Sequence, residues 1–172
     1  IELRAPEAVA SYLDSSAVGQ RLAAIRVLDA LDSHTTALRH ALVAGLAADE
    51  LNERATAIEI LSKHPAWIGD VASAIDERWH SSLAQAGNPA IELADLLAAW
   101  RDEPALAPLL AGWLQERESP PARTALISLL QAQTGWSPPA ACVPPLNAWL
   151  REDPLVVADL LTHLDLSARD CQ

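Results

Sequence analysis

The residues with which this 172-residue chain could do chemistry are five histidines, two cysteines and several adjacent acidic pairs. His34, His40, His64, His80 and His163 would be the metal ligands or proton carriers. None stands at zinc-protease spacing, and none is read as having an acidic residue beside it on one helical face, so no metal ligand is assigned. His64, before Pro65, and His80 read as helix-terminal residues, where an imidazole suits the negative end of the helix dipole. The pairs Asp49/Glu50, Asp76/Glu77, Asp102/Glu103 and Glu152/Asp153 have the chemistry of a hydrolase's acid and base. They are expected at helix starts and hairpin corners, where a carboxylate caps free amides instead. Cys142, between Ala141 and Val143, reads as an inert buried thiol, and with Cys171 it makes two reduced thiols rather than a redox or zinc motif. With only six glycines, the chain carries no nucleophile elbow, phosphate loop or dinucleotide fingerprint. No catalytic residue and no cofactor is assigned, and the expectation is a protein that is not an enzyme.

The tryptophans are the remaining candidates. Trp100, Trp113 and Trp149 follow Leu97, Leu110 and Leu146 at helical spacing and are expected in the core. Trp67, at a helix start, and Trp136, in the loop 134–137, are candidate partly exposed anchors for a partner.

The elements that must position these groups are short helices. Apolar residues recur at three and four, and no sustained alternation of period two predicts a strand. Pro6, Pro65, Pro89, Pro104, Pro120, Pro138 and Pro154 fall where helices should begin, because proline lacks only an amide that has no intrahelical partner there. Asn88, Glu103, Ser119 and Asp153 precede four of them as candidate caps or first-turn charges. Helices are predicted at about 6–14, 19–32, 35–47, 50–63, 65–81, 89–101, 104–117, 120–133, 138–151 and 154–165. Pro108 and the Pro144-Pro145 pair are expected to kink the helices that carry them. With neither Phe nor Met, the interior must be built from Leu, Ala, Ile, Val and Trp.

A formal net charge of -11 repels phosphate backbones and anionic headgroups, and the arginines are dispersed, so neither nucleic acid nor a membrane surface is expected as a partner. No apolar run approaches the ~20 residues of a spanning helix. A cytoplasmic location is expected. The start at Ile1 and the lack of any methionine point to an excised piece of a longer protein.

Self-similarity organises the helices. Arg21-Leu22-Ala23-Ala24-Ile25-Arg26-Val27-Leu28 recurs as Arg54-Ala55-Thr56-Ala57-Ile58-Glu59-Ile60-Leu61, and more loosely as Arg123-Thr124-Ala125-Leu126-Ile127-Ser128-Leu129-Leu130. Leu110-Ala111-Gly112-Trp113-Leu114-Gln115-Glu116 recurs as Leu146-Asn147-Ala148-Trp149-Leu150-Arg151-Glu152, and Ala94-Asp95-Leu96-Leu97 as Ala158-Asp159-Leu160-Leu161. Such recurrence marks stacked supersecondary units. The Arg-x-x-Ala-Ile-x-x-Leu first helix followed by a second apolar helix resembles the HEAT-repeat family over residues 17–165. Its spacing is shorter than the ~40 to 47 residues usual there, and the tetratricopeptide pattern is not found.

The resemblance implies an all-α, right-handed α-solenoid of about four to five antiparallel hairpins, with residues 1–172 forming a single domain. It also implies a concave face lined by second helices. That face is expected to bind a basic or amphipathic protein or peptide through Arg39, Asp70, Glu77, Glu116 and Arg151, with Trp67 and Trp136 as anchors. HEAT-like proteins that hold iron use His-Glu dipeptides, and this chain has none. Two rival expectations are an accessory or lyase-type part of a larger HEAT-like enzyme, and a structural spacer in a bacterial effector or defence protein. Eleven arginines to one lysine point to a GC-rich genome behind the last.

Overall fold

Proline and the apolar period place the helices. The computed structural model describes residues 6–33, 35–116, 118–132 and 138–153. Among them the α-helices are α1 Pro6–Ala10, α2 Val18–Ala30, α3 Thr36–Ala47, α4 Leu51–Ser62 and α5 Ile68–Ala84. They continue as α6 Pro89–Glu92, α7 Ala94–Ala99, α8 Leu106–Gln115, α9 Pro120–Ala132 and α10 Val143–Glu152. Short 3-10 turns at Pro65–Trp67 and Ala140–Cys142 lead into α5 and α10. The described residues are thus all-helical and contain no strand. The helix expected at 154–165, and with it Pro154 and the second copy of Ala-Asp-Leu-Leu, lies outside them.

Pro6, Pro89 and Pro120 open α1, α6 and α9, and Pro65 opens the 3-10 turn before α5. Asn88 caps α6, its side chain accepting from the Ala90 amide at 3.1 Å, and Thr35 caps α3, accepting from Leu38 at 3.2 Å. Pro104 instead sits in the turn before α8. The expected kinks do not follow. Pro108 is the third residue of α8, and Pro144 and Pro145 are the second and third of α10. These are first-turn positions whose amides need no intrahelical acceptor, so the prolines cost no helical bond. The predicted helix 89–101 is also divided, at Leu93, whose φ of -100° and ψ of 5° end α6 and begin α7. Leu93, Leu96, Leu97 and Trp100 nevertheless all remain in the core.

Two helices end without glycine where the backbone turns left-handed. Asp32 has φ 53° after α2, where the Ser33 amide donates to the Leu28 carbonyl at 2.9 Å. Ala86 has φ 56° after α5, where the Gly87 amide donates to Ser82 at 2.8 Å. This is the wrap-back that satisfies last-turn carbonyls, normally made with glycine in the left-handed position.

The chain divides into two units, Ile1–Ile75 and Asp76–Gln172, the division falling within α5. In the first, α1 packs on α2, α2 on α3 and α4, and α3 on α4, around Leu28, Leu38, Leu42, Leu46, Ile60 and Leu61. A Cβ on Gly45 of α3 would stand 3.1 Å from the Ala57 Cβ of α4, so this seam is as close as a missing side chain allows. In the second, α6 packs on α7 and α9, α8 on α9, and α10 on α8. Trp79, Trp100, Trp113 and Trp149 are its largest buried groups. Trp79 and Trp113 stack with centroids 4.2 Å apart and planes within 5°.

The sequence repeat has a structural counterpart. Arg21 donates to the Ser15 carbonyl at 2.6 Å, and Arg54, its counterpart, donates to the Ala48 carbonyl at 2.7 Å. These two arginines thus each hold the backbone six residues before them, in the turn that leads into their own helix. Ala24, Ala57 and Leu126 are buried at one repeat position, and Leu28, Leu61 and Leu130 at another.

Two opposite stability changes follow from this backbone. Gly45→Leu should destabilise the chain by about 1–3 kcal/mol, since the added Cβ presses on Ala57 of α4 and the two helices must part to admit it. Ala86→Gly should stabilise it by about 1 kcal/mol by removing a left-handed alanine. Denaturant midpoints of the two variants check both signs.

Candidate functional site

In the first unit, Arg39, Asp70 and Trp67 come together. Arg39 Nη1 of α3 pairs with the Asp70 carboxylate of α5, and its guanidinium lies over the Trp67 ring, 6.0 Å from the centroid. His64 stacks on the same indole at 4.1 Å, and its Nε2 lies 3.1 Å from Asp29 Oδ1. Trp67 is half-buried within these contacts. The indole expected to await a partner is already engaged by His64 and Arg39.

In the second unit, Glu116 is likewise engaged. His80 Nε2 lies 3.0 and 2.9 Å from the two Glu116 carboxylate oxygens, while His80 Nδ1 lies 2.8 Å from the Asp76 carbonyl. With an acceptor at each ring nitrogen, the arrangement favours an imidazolium that donates twice. Trp113 Nε1 donates to Asp76 Oδ1 at 2.8 Å, so one turn of α5 holds α8 at two points. These contacts revise three sequence expectations. His80 is inside α5 rather than at its end, and Asp76 is its acidic neighbour at i, i+4, 3.7 Å away. Asp76/Glu77 stands within a helix, not at a helix start. Glu77 and Arg151 are exposed, and Trp136 lies outside the described residues.

A common pattern emerges that sequence reading only half captured. Tryptophan precedes an acid by three residues at Trp67/Asp70 and Trp113/Glu116, and each acid takes a cation from an earlier helix, Arg39 or His80. Near the end of α10 the pattern recurs with one more residue, Arg123 lying over Trp149 and pairing with Asp153. Trp79 escaped notice because no recurrence marks it.

The remaining chemical groups are committed to structure. Arg78 is buried and pairs with Glu92, which also accepts from Ser82 Oγ at 2.8 Å. Cys142 is buried beside the Ala107 carbonyl, and burial pushes its thiol up to about 11, away from thiolate chemistry. Among the described residues no three His, Cys, Asp or Glu side chains are grouped to hold a metal, and no helix is long and apolar enough to cross a membrane.

What sequence reading missed is a cleft in the first unit, about 610 Å3 in volume. One side is formed by Ala10, Leu13 and Asp14 of α1 and the turn after it, with Arg21 and Ile25 of α2. The facing side is Ala37, His40, Ala41, Ala44 and Gly45 of α3, with Glu53 of α4. Arg21 is spent internally, its Nε donating to Glu53 Oε1 at 2.7 Å. Among the described residues Asp14 and His40 have no such partner, and both are exposed. The volume lies within the ~300–1,000 Å3 range of ligand sites, and the lining, mostly apolar with a few polar groups, fits one too. The sequence signal was the spacing of Ala37, Ala41 and Ala44, which places three methyl groups on one helical face.

Comparison with protein families, with curated proteins and with solved structures finds no match to this chain.

The His80 cluster gives a pH prediction. The Glu116 hydrogen bond raises the His80 pKa, burial opposes it, and the Asp76 carbonyl and both carboxylates assist it. A pKa higher in the folded than the unfolded state stabilises fully below about 6.5 and loses that contribution as pH rises through the folded value. Glu116→Gln should therefore cost more stability at about pH 5.5 than at about pH 8.5. The difference should stay below ~1 kcal/mol because both side chains are 43% exposed. An NMR titration of His80 should show a midpoint that falls in the same variant.

Proposed function

We propose that this chain is a HEAT-like helical-repeat scaffold, without catalysis of its own, that binds a protein partner. Its helical hairpins stack in repeat order within each unit. Support for the stacking comes from side-chain contacts that join residues about one repeat apart. Arg21–Glu53, Arg39–Asp70 and Asp29–His64 span 32, 31 and 35 residues, and Asp76–Trp113, His80–Glu116 and Arg123–Asp153 span 37, 36 and 30. Nearest-neighbour contact of this kind is how solenoid repeats hold together.

The observation that carries the binding role is the first-unit cleft, which is apolar-walled and carries two polar groups that no described side chain engages. Its location differs from the acid-weighted second-helix face that the sequence offered. Asp70 and Glu116 already hold Arg39 and His80, so a cation arriving at either shares the carboxylate with an internal partner and gains less from it.

A photo-crosslinking residue at Ala44, in the cleft, should capture one discrete partner in the native cell. The same residue at Ala23, exposed on α2 and outside the cleft, should not. Equal capture from both positions would contradict a binding role for the cleft.

A further inference from the structure

We infer that the first-unit cleft seats a single α-helix of a partner protein, which sets its apolar face on α3 and a lysine or arginine against Asp14. The inference rests on the cleft being the binding site and adds the shape and charge of its occupant. Three modes of peptide recognition compete for an apolar cleft: strand addition, a polyproline segment and a helix in a groove. Strand addition needs an open sheet edge, and the described residues contain no strand. Polyproline recognition needs an aromatic-lined groove, and this lining has no aromatic ring other than His40.

A helix fits on both counts. Ala37, Ala41 and Ala44 recur at four and three, the spacing at which a second helix interdigitates, and their methyl groups permit the short interaxial distances that longer side chains forbid. Leu13 and Ile25, almost wholly buried, give the cleft a firm apolar floor for such a helix to rest on.

The charge of the occupant follows from which groups are already used. Arg21, the cleft's one guanidinium, bonds Glu53 and the Ser15 carbonyl, so an acidic partner meets no free guanidinium there. Asp14 has no cation among the described residues, is exposed at the wall, and stands in a chain of net charge -11 that draws cations from a distance. A basic side chain on Asp14 would complete the cleft's charge pairing. An acidic one would add repulsion.

The test uses two fluorescein-labelled model helices with the same alanine and leucine face, one carrying lysines and the other glutamates on its polar side. Fluorescence anisotropy with the full chain should show the lysine helix binding at least about tenfold more tightly, the scale of one useful charge pair. Asp14→Lys should erase or reverse that preference. Asp95→Lys, the same charge change at an exposed position of α7, should leave it in place. Ala44→Trp, at an exposed cleft position, should abolish binding of both helices. A lysine preference that survives Asp14→Lys, or binding by neither helix, overturns this inference. Loss on Ala44→Trp with no response to Asp14→Lys overturns it while sparing the cleft itself. Binding indifferent to Ala44→Trp overturns the cleft reading as well.

Discussion

Contact between residues some 30 to 37 apart in sequence is the constraint on which this structure depends. Short helices bury too little to stand alone, and α1, α6 and α7 have only five, four and six residues. Each must be covered by an element that arrives later in the chain. The ties that do this are chemically varied. Arg21 meets Glu53 and Arg39 meets Asp70 as ion pairs, Trp113 donates to Asp76, and Trp79 stacks on Trp113. What they share is a separation near one helical hairpin. Partners so near in sequence close small loops, which keeps the entropic cost of each contact low.

Composition decides how these seams are filled. Without Phe or Met, the chain matches surfaces chiefly with aliphatics, from Ala to Leu and Ile, and with indoles. In the first unit leucine and isoleucine fill the core, and Gly45 brings α3 against Ala57 of α4. Alanines on another part of α3 then remain uncovered and form one side of the cleft. In the second unit four indoles fill the core, and Trp113 satisfies its ring N–H through Asp76. The same alphabet thus gives a close-packed seam, an open cleft and an aromatic core, depending on where Ala and Trp fall.

Much of the local structure was legible because its signals are local. Pro89 after Asn88 announces a helix start whether or not anything packs on it, and the paired Arg21 and Arg54 segments announce equivalent helices that bury Ala24 and Ala57 alike. The prolines at 108, 144 and 145 misled because their effect depends on the register of the helix start, which lies two residues before Pro108 and one before Pro144. The site was less legible for a different reason. Asp70, Glu116 and Trp67 look unpaired in a linear reading, and only the three-dimensional structure shows their contacts with Arg39, His80 and His64. Asp14 is the converse case, unremarkable in sequence and uncommitted at the cleft wall among the described residues.

The Trp79–Trp113 stack offers the most direct test of contact at repeat spacing, because two parallel indoles 4.2 Å apart couple their electronic transitions. The native chain should show an exciton couplet in its far-ultraviolet circular dichroism. Either Trp79→Phe or Trp113→Phe should remove it completely, and the double variant should remove nothing more. Two independent, additive changes, with no couplet to lose, would mean that α5 and α8 do not meet through these residues and that the helices are held in some other way.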